Sequence, residues 1–141
     1  MDSERDLKPL GEQRDVQSSN HHVHRGRRSA YAGMAAEDIT LRVYEERGAE
    51  LKFRRWRCEG GEIDLILSHG DMLIFVEVKQ RKKSNAWDAP VSKRQWRRLV
   101  DAANMYILEV QRETGATPIC RFDIALVGHD GRAEIIENAW S

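Results

Sequence analysis

The chain lacks the features that would send it to a membrane or into an oxidising compartment. Its 141 residues include only two cysteines, Cys58 and Cys120, which form no metal-binding spacing. Without an export signal these thiols are expected to be reduced and partly buried. The N-terminus has no apolar stretch and reads as no secretory signal. The longest apolar run near the middle, Met72 to Val76, is far too short to cross a bilayer. A cytoplasmic location is the default that follows, with no membrane partner. Charge of one sign is also lacking: 23 basic and 23 acidic residues give a net charge of zero. Global neutrality argues against a generic basic nucleic-acid binder. The length is that of one domain with a real core.

The distribution of charge tells a different story. Between Lys79 and Arg98 stand eight basic residues (Lys79, Arg81, Lys82, Lys83, Lys93, Arg94, Arg97 and Arg98) against one acid, Asp88. Lys52, Arg54, Arg55 and Arg57 form a second cluster. A local basic patch attracts phosphate even on a neutral protein. A solvated surface is the plainer reading of any single one of these residues.

The central feature is Gly60 to Arg81, two apolar runs around a short polar turn containing glycine, the pattern of adjacent antiparallel strands. Asp64 interrupts the first run, and Glu77 and Lys79 interrupt the second. Charge in a buried strand is costly unless it is paired or binds an ion. Strand alternation points Glu77 and Lys79 the same way. Asp64 joins them if facing residue numbers sum to an odd value. A two-residue turn at Gly70-Asp71 sets Asp64 opposite Glu77; a four-residue turn from Ser68 sets it opposite Phe75. Either register brings two carboxylates to one face, and a one-residue slip separates them. Paired carboxylates repel unless a proton or metal intervenes. Oxygen ligands of this kind suit Mg²⁺ or Mn²⁺.

The rest of the chain frames this hairpin. Residues 1–25 are polar and aperiodic and read as a mobile tail; His21, His22 and His24 could catch a metal there, but nothing orients them. Residues 26–141 form the domain. A helix is expected from about Gly26 to Arg47, ended by Gly48, with Ala30, Met34, Leu41 and Tyr44 as its apolar stripe. Glu37 falls within that stripe, and beside the carboxylate hairpin it reads as a site residue. A first strand covers Glu50 to Cys58. The basic segment from Gln80 to Pro90 reads as a loop, with Trp87 placed either to stack on a base or to pack on the domain. Ser92 caps a second helix whose apolar face is Trp96, Leu99, Val100, Ala103, Ile107 and Val110. Its first turns carry Arg94, Arg97 and Arg98 against the usual dipole preference, as a phosphate-facing helix would. Strands follow at Arg121 to Val127 and from Ala133 to about Asn138. Asp123 is better read as an arginine's partner than as a site residue. The order of elements is that of an α/β domain, a mixed sheet flanked by helices.

Asp64 and Glu77 would hold the divalent ion, with the Val78 carbonyl as an extra ligand. Such an ion polarises a scissile phosphate and lowers the pKa of a bound water. Lys79 would position that water or stabilise developing charge. Glu37 would complete the site from the helix, either as a metal ligand through water or as a ligand to a second metal, with Glu62 supporting Asp64. An aspartate and a Glu-x-Lys on adjacent strands after an acidic helix resemble the PD-(D/E)XK, restriction-endonuclease-like superfamily. More specifically, Ala36-Glu37-Asp38, Trp56-Arg57-Cys58, Gly60 to Ile66, Phe75 to Arg81 and Arg121-Phe122-Asp123 together look like the YraN-like family of small bacterial proteins. That resemblance covers about Arg27 to Trp140. It implies an αβββαβ nuclease core and similarity to archaeal-type Holliday junction resolvases, hence a homodimer. Two departures stand out. Ile63, not proline, precedes Asp64, as in this family. The loop from Lys82 to Pro90 lacks the Phe-Gly pair often found there, with Ala86-Trp87 in its place.

The leading expectation is a metal-dependent endodeoxyribonuclease, with branched or otherwise structured DNA as the substrate to test first. The second is a nucleic-acid-binding module on a nuclease fold, without useful cleavage. The third is a structural ion-pair cluster in which Lys79 neutralises Glu77 and Asp64 and no metal binds.

Overall fold

The computed structural model describes residues 23–81 and 91–139. In chain order the elements are α1 (Val23–Glu46), β1 (Glu50–Cys58), β2 (Gly61–His69), β3 (Met72–Gln80), α2 (Lys93–Thr114), β4 (Ile119–Val127) and β5 (Ala133–Ile136). The strands form one sheet in the order β1-β2-β3-β4-β5. All neighbours are antiparallel except β3 and β4. A parallel pair needs a crossover, and α2 is part of it. The mixed five-stranded sheet with two helices is the expected α/β class, compatible with a restriction-endonuclease-like core. Helix α1 begins three residues before Gly26, and β4 two before Arg121. Residues 1–22 of the expected tail, with His21 and His22, lie outside the described residues, as do Lys82, Lys83 and Trp87.

Each helix covers one face of the sheet. Helix α2 buries Trp96, Leu99, Ala102, Ala103 and Tyr106 against Phe53, Trp56, Ile63, Ile66 and Phe75. Tyr106 is the hub: its ring meets Phe53, Trp56 and Phe75 edge-on, with centroids 5.7, 5.4 and 6.0 Å away. Such contacts add about 0.5–1.5 kcal/mol each beyond burial and fix α2 firmly on the sheet. Ser92 starts α2 as expected. Its hydroxyl accepts from the Gln95 N–H, and the Gln95 side chain accepts from the Ser92 N–H, a reciprocal capping box. Gly115, at φ +78°, ends it.

Helix α1 covers the other face, with Tyr44 packed among Leu65, Leu67, Ile74, Val76 and Ala125. Its buried stripe differs from the expected one. It runs through Ala36, Glu37, Thr40 and Tyr44, while Met34 is 44% exposed. Two polar side chains lie on this stripe because each is satisfied. Thr40 donates to the Ala36 carbonyl at 2.8 Å, and Glu37 is held by arginines of β1. Asp123 is the arginine partner it was read to be. It is fully buried, accepts two bonds from Arg121 at 2.9 Å, one from the Tyr44 hydroxyl at 2.7 Å, and one from the Asn138 N–H at 3.0 Å.

Two irregularities in β1 and β2 shape the centre of the molecule. The β1–β2 register shifts between Leu51 and Phe53, a bulge. Further on, Arg55 has φ +55°, a left-handed conformation that costs a non-glycine residue roughly 1–2 kcal/mol. Arg55 and Asp64 occupy the same level, between the rungs Arg54↔Leu65 and Trp56↔Ile63. Here the alternation of faces breaks. Phe53 and Trp56, three apart, enter the same cluster, and so do Ile66 and Ile63 opposite them.

Candidate metal and phosphate cleft

The hairpin register decides the position of the carboxylates. His69 pairs with Met72 and Leu65 with Val76, so the turn has two residues, Gly70-Asp71. Gly70 has φ +60°, as the first central position of a type II′ hairpin turn requires. The same register sets Asp64 opposite Glu77. The β2–β3 ladder ends at Leu65↔Val76, however. Beyond it β2 stays with β1, through Ile63, Glu62 and Gly61, while β3 stays with β4, through Glu77 to Gln80. The sheet forks, and the carboxylates stand in the fork. Asp64 spans it: its Oδ2 accepts the Val78 N–H at 2.8 Å, replacing a ladder bond that the fork removes.

The fork opens into a cleft of about 170 Å³, lined by Glu62, Asp64, Glu77, Gln95, Arg98 and Leu99. Asp64 is the perturbed group. Burial, first, and then the Glu77 charge push its carboxyl well above the ordinary carboxylate value. The Val78 N–H pulls it back, while the charges of Glu37 and Glu62 raise it further. Lys79 lies 3.5 Å from Glu77, on the same face two residues along. That ammonium offsets one carboxylate and leaves Asp64 without a salt bridge among the described residues.

Glu37 is near enough to be felt by Asp64, but its carboxylate is engaged elsewhere. Arg54 Nε donates to it at 2.9 Å, and Arg55 Nε at 3.3 Å to both oxygens. Adjacent strand residues ordinarily point to opposite faces; the left-handed turn at Arg55 lets both reach one acceptor. Arg54 also bonds Asp38 at 2.7 Å and the Met34 carbonyl at 3.0 Å. Arg57 pairs with Glu62 at 3.3 Å. The second basic cluster is therefore largely engaged with internal acids, which sequence spacing alone could not reveal. Of the first cluster, Arg81 pairs with Glu134 at 3.3 Å. Lys93, Arg94, Arg97 and Arg98 are exposed at the start of α2, and of these Arg98 lines the cleft. Gln95 was not singled out from the sequence. Its signal was the Ser92-x-x-Gln95 capping spacing, which puts it in the first turn of the helix that walls the cleft.

No group of three or more His, Cys, Asp or Glu side chains among the described residues converges as a complete metal cage. The donor set nonetheless fits a hard divalent ion. Mg²⁺ is commonly held by one or two carboxylates and keeps several waters. Asp64 and Glu77 are such a pair, and the repulsion that raises the Asp64 pKa is what a cation would relieve.

The family model described as uncharacterised protein family UPF0102 matches residues 36–127. The chain belongs to this family. UPF0102 proteins similar to it include one from Ruegeria pomeroyi, 47% identical over 116 residues, covering 82% of this chain and 93% of the relative. One from Cereibacter sphaeroides is 44% identical over 116 residues, covering 82% of this chain and 97% of the relative. One from Dinoroseobacter shibae is 35% identical over 134 residues, covering 95% and 92%. The UPF0102 match takes in Glu37, the forked hairpin and the whole of α2. UPF0102 is the family of the YraN-like proteins, so that resemblance stands. No helix among the described residues is long and apolar enough to cross a membrane.

Proposed function

We propose that this UPF0102 member is a Mg²⁺- or Mn²⁺-dependent endodeoxyribonuclease of the PD-(D/E)XK type that hydrolyses phosphodiester bonds, branched DNA being the first substrate to test. The observation that carries this reading is Asp64. It is a carboxylate placed beside Glu77 in a forked sheet, raised in pKa, and short of a cation. A purely structural cluster would be neutralised, whereas here Lys79 offsets one of two carboxylates. A divalent ion held by Asp64, Glu77 and the Val78 carbonyl would supply Lewis-acid polarisation of the scissile phosphate and a water acidic enough to attack at neutral pH.

The chain's own residues do the rest. The Val78 N–H fixes the Asp64 carboxylate, leaving its other oxygen for the cleft. Lys79, held by Glu77, presents an ammonium where the attacking water is oriented and where charge grows on the phosphate. Glu37 contributes negative charge from α1, and its arginine clamp keeps it in place. Glu62 supports Asp64 in the same way. Lys82, Lys83, Lys93, Arg94, Arg97 and Arg98 would lead the DNA backbone in, and Arg81 joins them on exchanging Glu134 for phosphate. The resemblance to Holliday junction resolvases would make the working form a homodimer, and a cytoplasmic location is the default for a chain read without an export signal.

The test is a cleavage panel in Mg²⁺ and Mn²⁺ on single-stranded, duplex, flap and four-way DNA, with wild type and Glu77→Ala side by side. Cutting by wild type alone is the expected result. No cutting of any substrate by wild type sinks the enzyme reading and leaves a DNA-binding module, whose binding would survive both Asp64→Ala and Glu77→Ala.

A further inference from the structure

The α2 wall of the cleft faces the carboxylates with groups of the opposite character. Arg98 shares the cleft with Glu62, Asp64 and Glu77. Arg57 and Lys79 are the cations within 4.0 Å of Glu62 and Glu77 among the described residues, at 3.3 and 3.5 Å. The Arg98 guanidinium thus stands off from three acids that could attract it, leaving space between the walls. Gln95, one helical turn earlier, gives its side-chain oxygen to the Ser92 N–H at 3.0 Å. Its NH₂ is left as a donor on the same wall.

The spacing of the walls is set by Gly61. A Cβ there would lie 2.9 Å from the Arg98 carbonyl oxygen and 3.4 Å from its Cβ, with φ at +152°. The end of β2 that carries Glu62 and Asp64 is therefore pressed on the backbone of Arg98 as closely as glycine allows. At about 170 Å³ the cleft is below the ~300–1,000 Å³ of pockets that enclose a small organic ligand. A cation and one phosphate group fit such a space.

We propose that Arg98, with Gln95 beside it, is the phosphate-docking wall of the cleft, receiving one phosphodiester group opposite Asp64 and Glu77, and that Gly61 sets the width of that seat. This deepens the nuclease reading and rests on it for the ligand's class. An arginine fork matches two phosphate oxygens. Arg97, on the same helix turn but not in the cleft, is the comparison of equal charge, an approach residue whose loss should be the smaller of the two.

The experiment measures binding of a fluorescein-labelled duplex and a four-way junction in Ca²⁺, and cleavage separately in Mn²⁺. Arg98→Gln is expected to weaken binding about 10- to 100-fold, the loss of a hydrogen bond to a charged group. Arg97→Gln should cost less than about threefold, as an exposed charge does. Arg98→Lys should recover only part of the loss. Gly61→Ala, which removes no charge, should weaken binding in the same direction, with circular dichroism verifying its fold. Equal effects of Arg98→Gln and Arg97→Gln would overturn the docking wall, and wild-type binding by a folded Gly61→Ala would overturn the gauge. A wild type that binds with this pattern but never cuts sinks the nuclease reading and leaves the phosphate seat standing. A wild type that cuts while Arg98→Gln cuts with unchanged kcat and KM does the reverse.

Discussion

Asp64→Asn should make the protein more stable and unable to hold metal at once. Asparagine keeps an oxygen to accept the Val78 N–H and removes a half-buried charge repelled by Glu77. The sign follows from the raised pKa. A carboxyl whose folded-state pKa lies above its unfolded value favours folding below the unfolded value and loses that contribution as pH rises through the folded one. At pH 7.5, well above the unfolded value, the Asp64 carboxyl therefore works against the fold. Its burial and the Glu77 charge act together, and relief of one such group is worth about 1–2 kcal/mol. For a chain of this size that is roughly 3–8 °C in Tm. Differential scanning calorimetry in EDTA should show the gain at pH 7.5 and its shrinkage towards pH 4. In Mn²⁺ the order should invert, because wild type gains about 2.7 kcal/mol at a hundredfold excess over Kd and Asp64→Asn gains nothing. A fall in Tm for Asp64→Asn in EDTA would refute the reasoning, because Asp64 would then be a satisfied structural carboxylate with Lys79 serving both acids.

Other outcomes follow from the same geometry. Mn²⁺ affinity, measured by calorimetric titration, should fall as pH drops while still above the ordinary carboxylate range, since Asp64, raised in pKa, must lose its proton to bind. Asp123→Ala strips the fully buried acceptor of Arg121, Tyr44 and Asn138 and should cost about 3–5 kcal/mol in urea unfolding, with Mn²⁺ affinity per folded molecule unchanged. Tyr106→Ala removes the ring that seats α2 and should cost roughly 3–5 kcal/mol while weakening DNA binding through the displaced cleft wall. In urea unfolding Arg55→Gly should be less destabilising than Arg55→Val, because both lose the bond to buried Glu37 but only glycine releases the left-handed strain at φ +55°.

Much of the fold was legible because local signals agreed. Gly-Asp between two apolar runs specified the hairpin, Ser92 the start of α2, and Gly48 the end of α1. Asp64, Glu77 and Lys79 showed themselves as charges in strands that should have been apolar. Position relative to distant partners was not legible. Glu37 looked like a site acid from its place on a helix face, but its arginines come from β1, and both reach it only through a left-handed residue no propensity would assign to arginine. Met34 fitted a helical stripe as well as Thr40 did; the packing angle of α1, set by Tyr44 meeting Asp123, decided between them. The basic clusters read alike in sequence, yet Arg54, Arg55 and Arg57 are engaged by acids while Arg94, Arg97 and Arg98 are exposed. Gln95 and Gly61 carried only local meaning, cap and turn, until the close approach of β2 to α2 placed both at the cleft.

The central claim is that Asp64 and Glu77 form one divalent-cation site. Isothermal titration of Mn²⁺ into wild type, Asp64→Ala and Glu77→Ala at neutral pH tests it directly. The account predicts saturable binding by wild type, with proton release, and its loss in both variants. Absence of wild-type binding, or binding that survives either substitution, would contradict it.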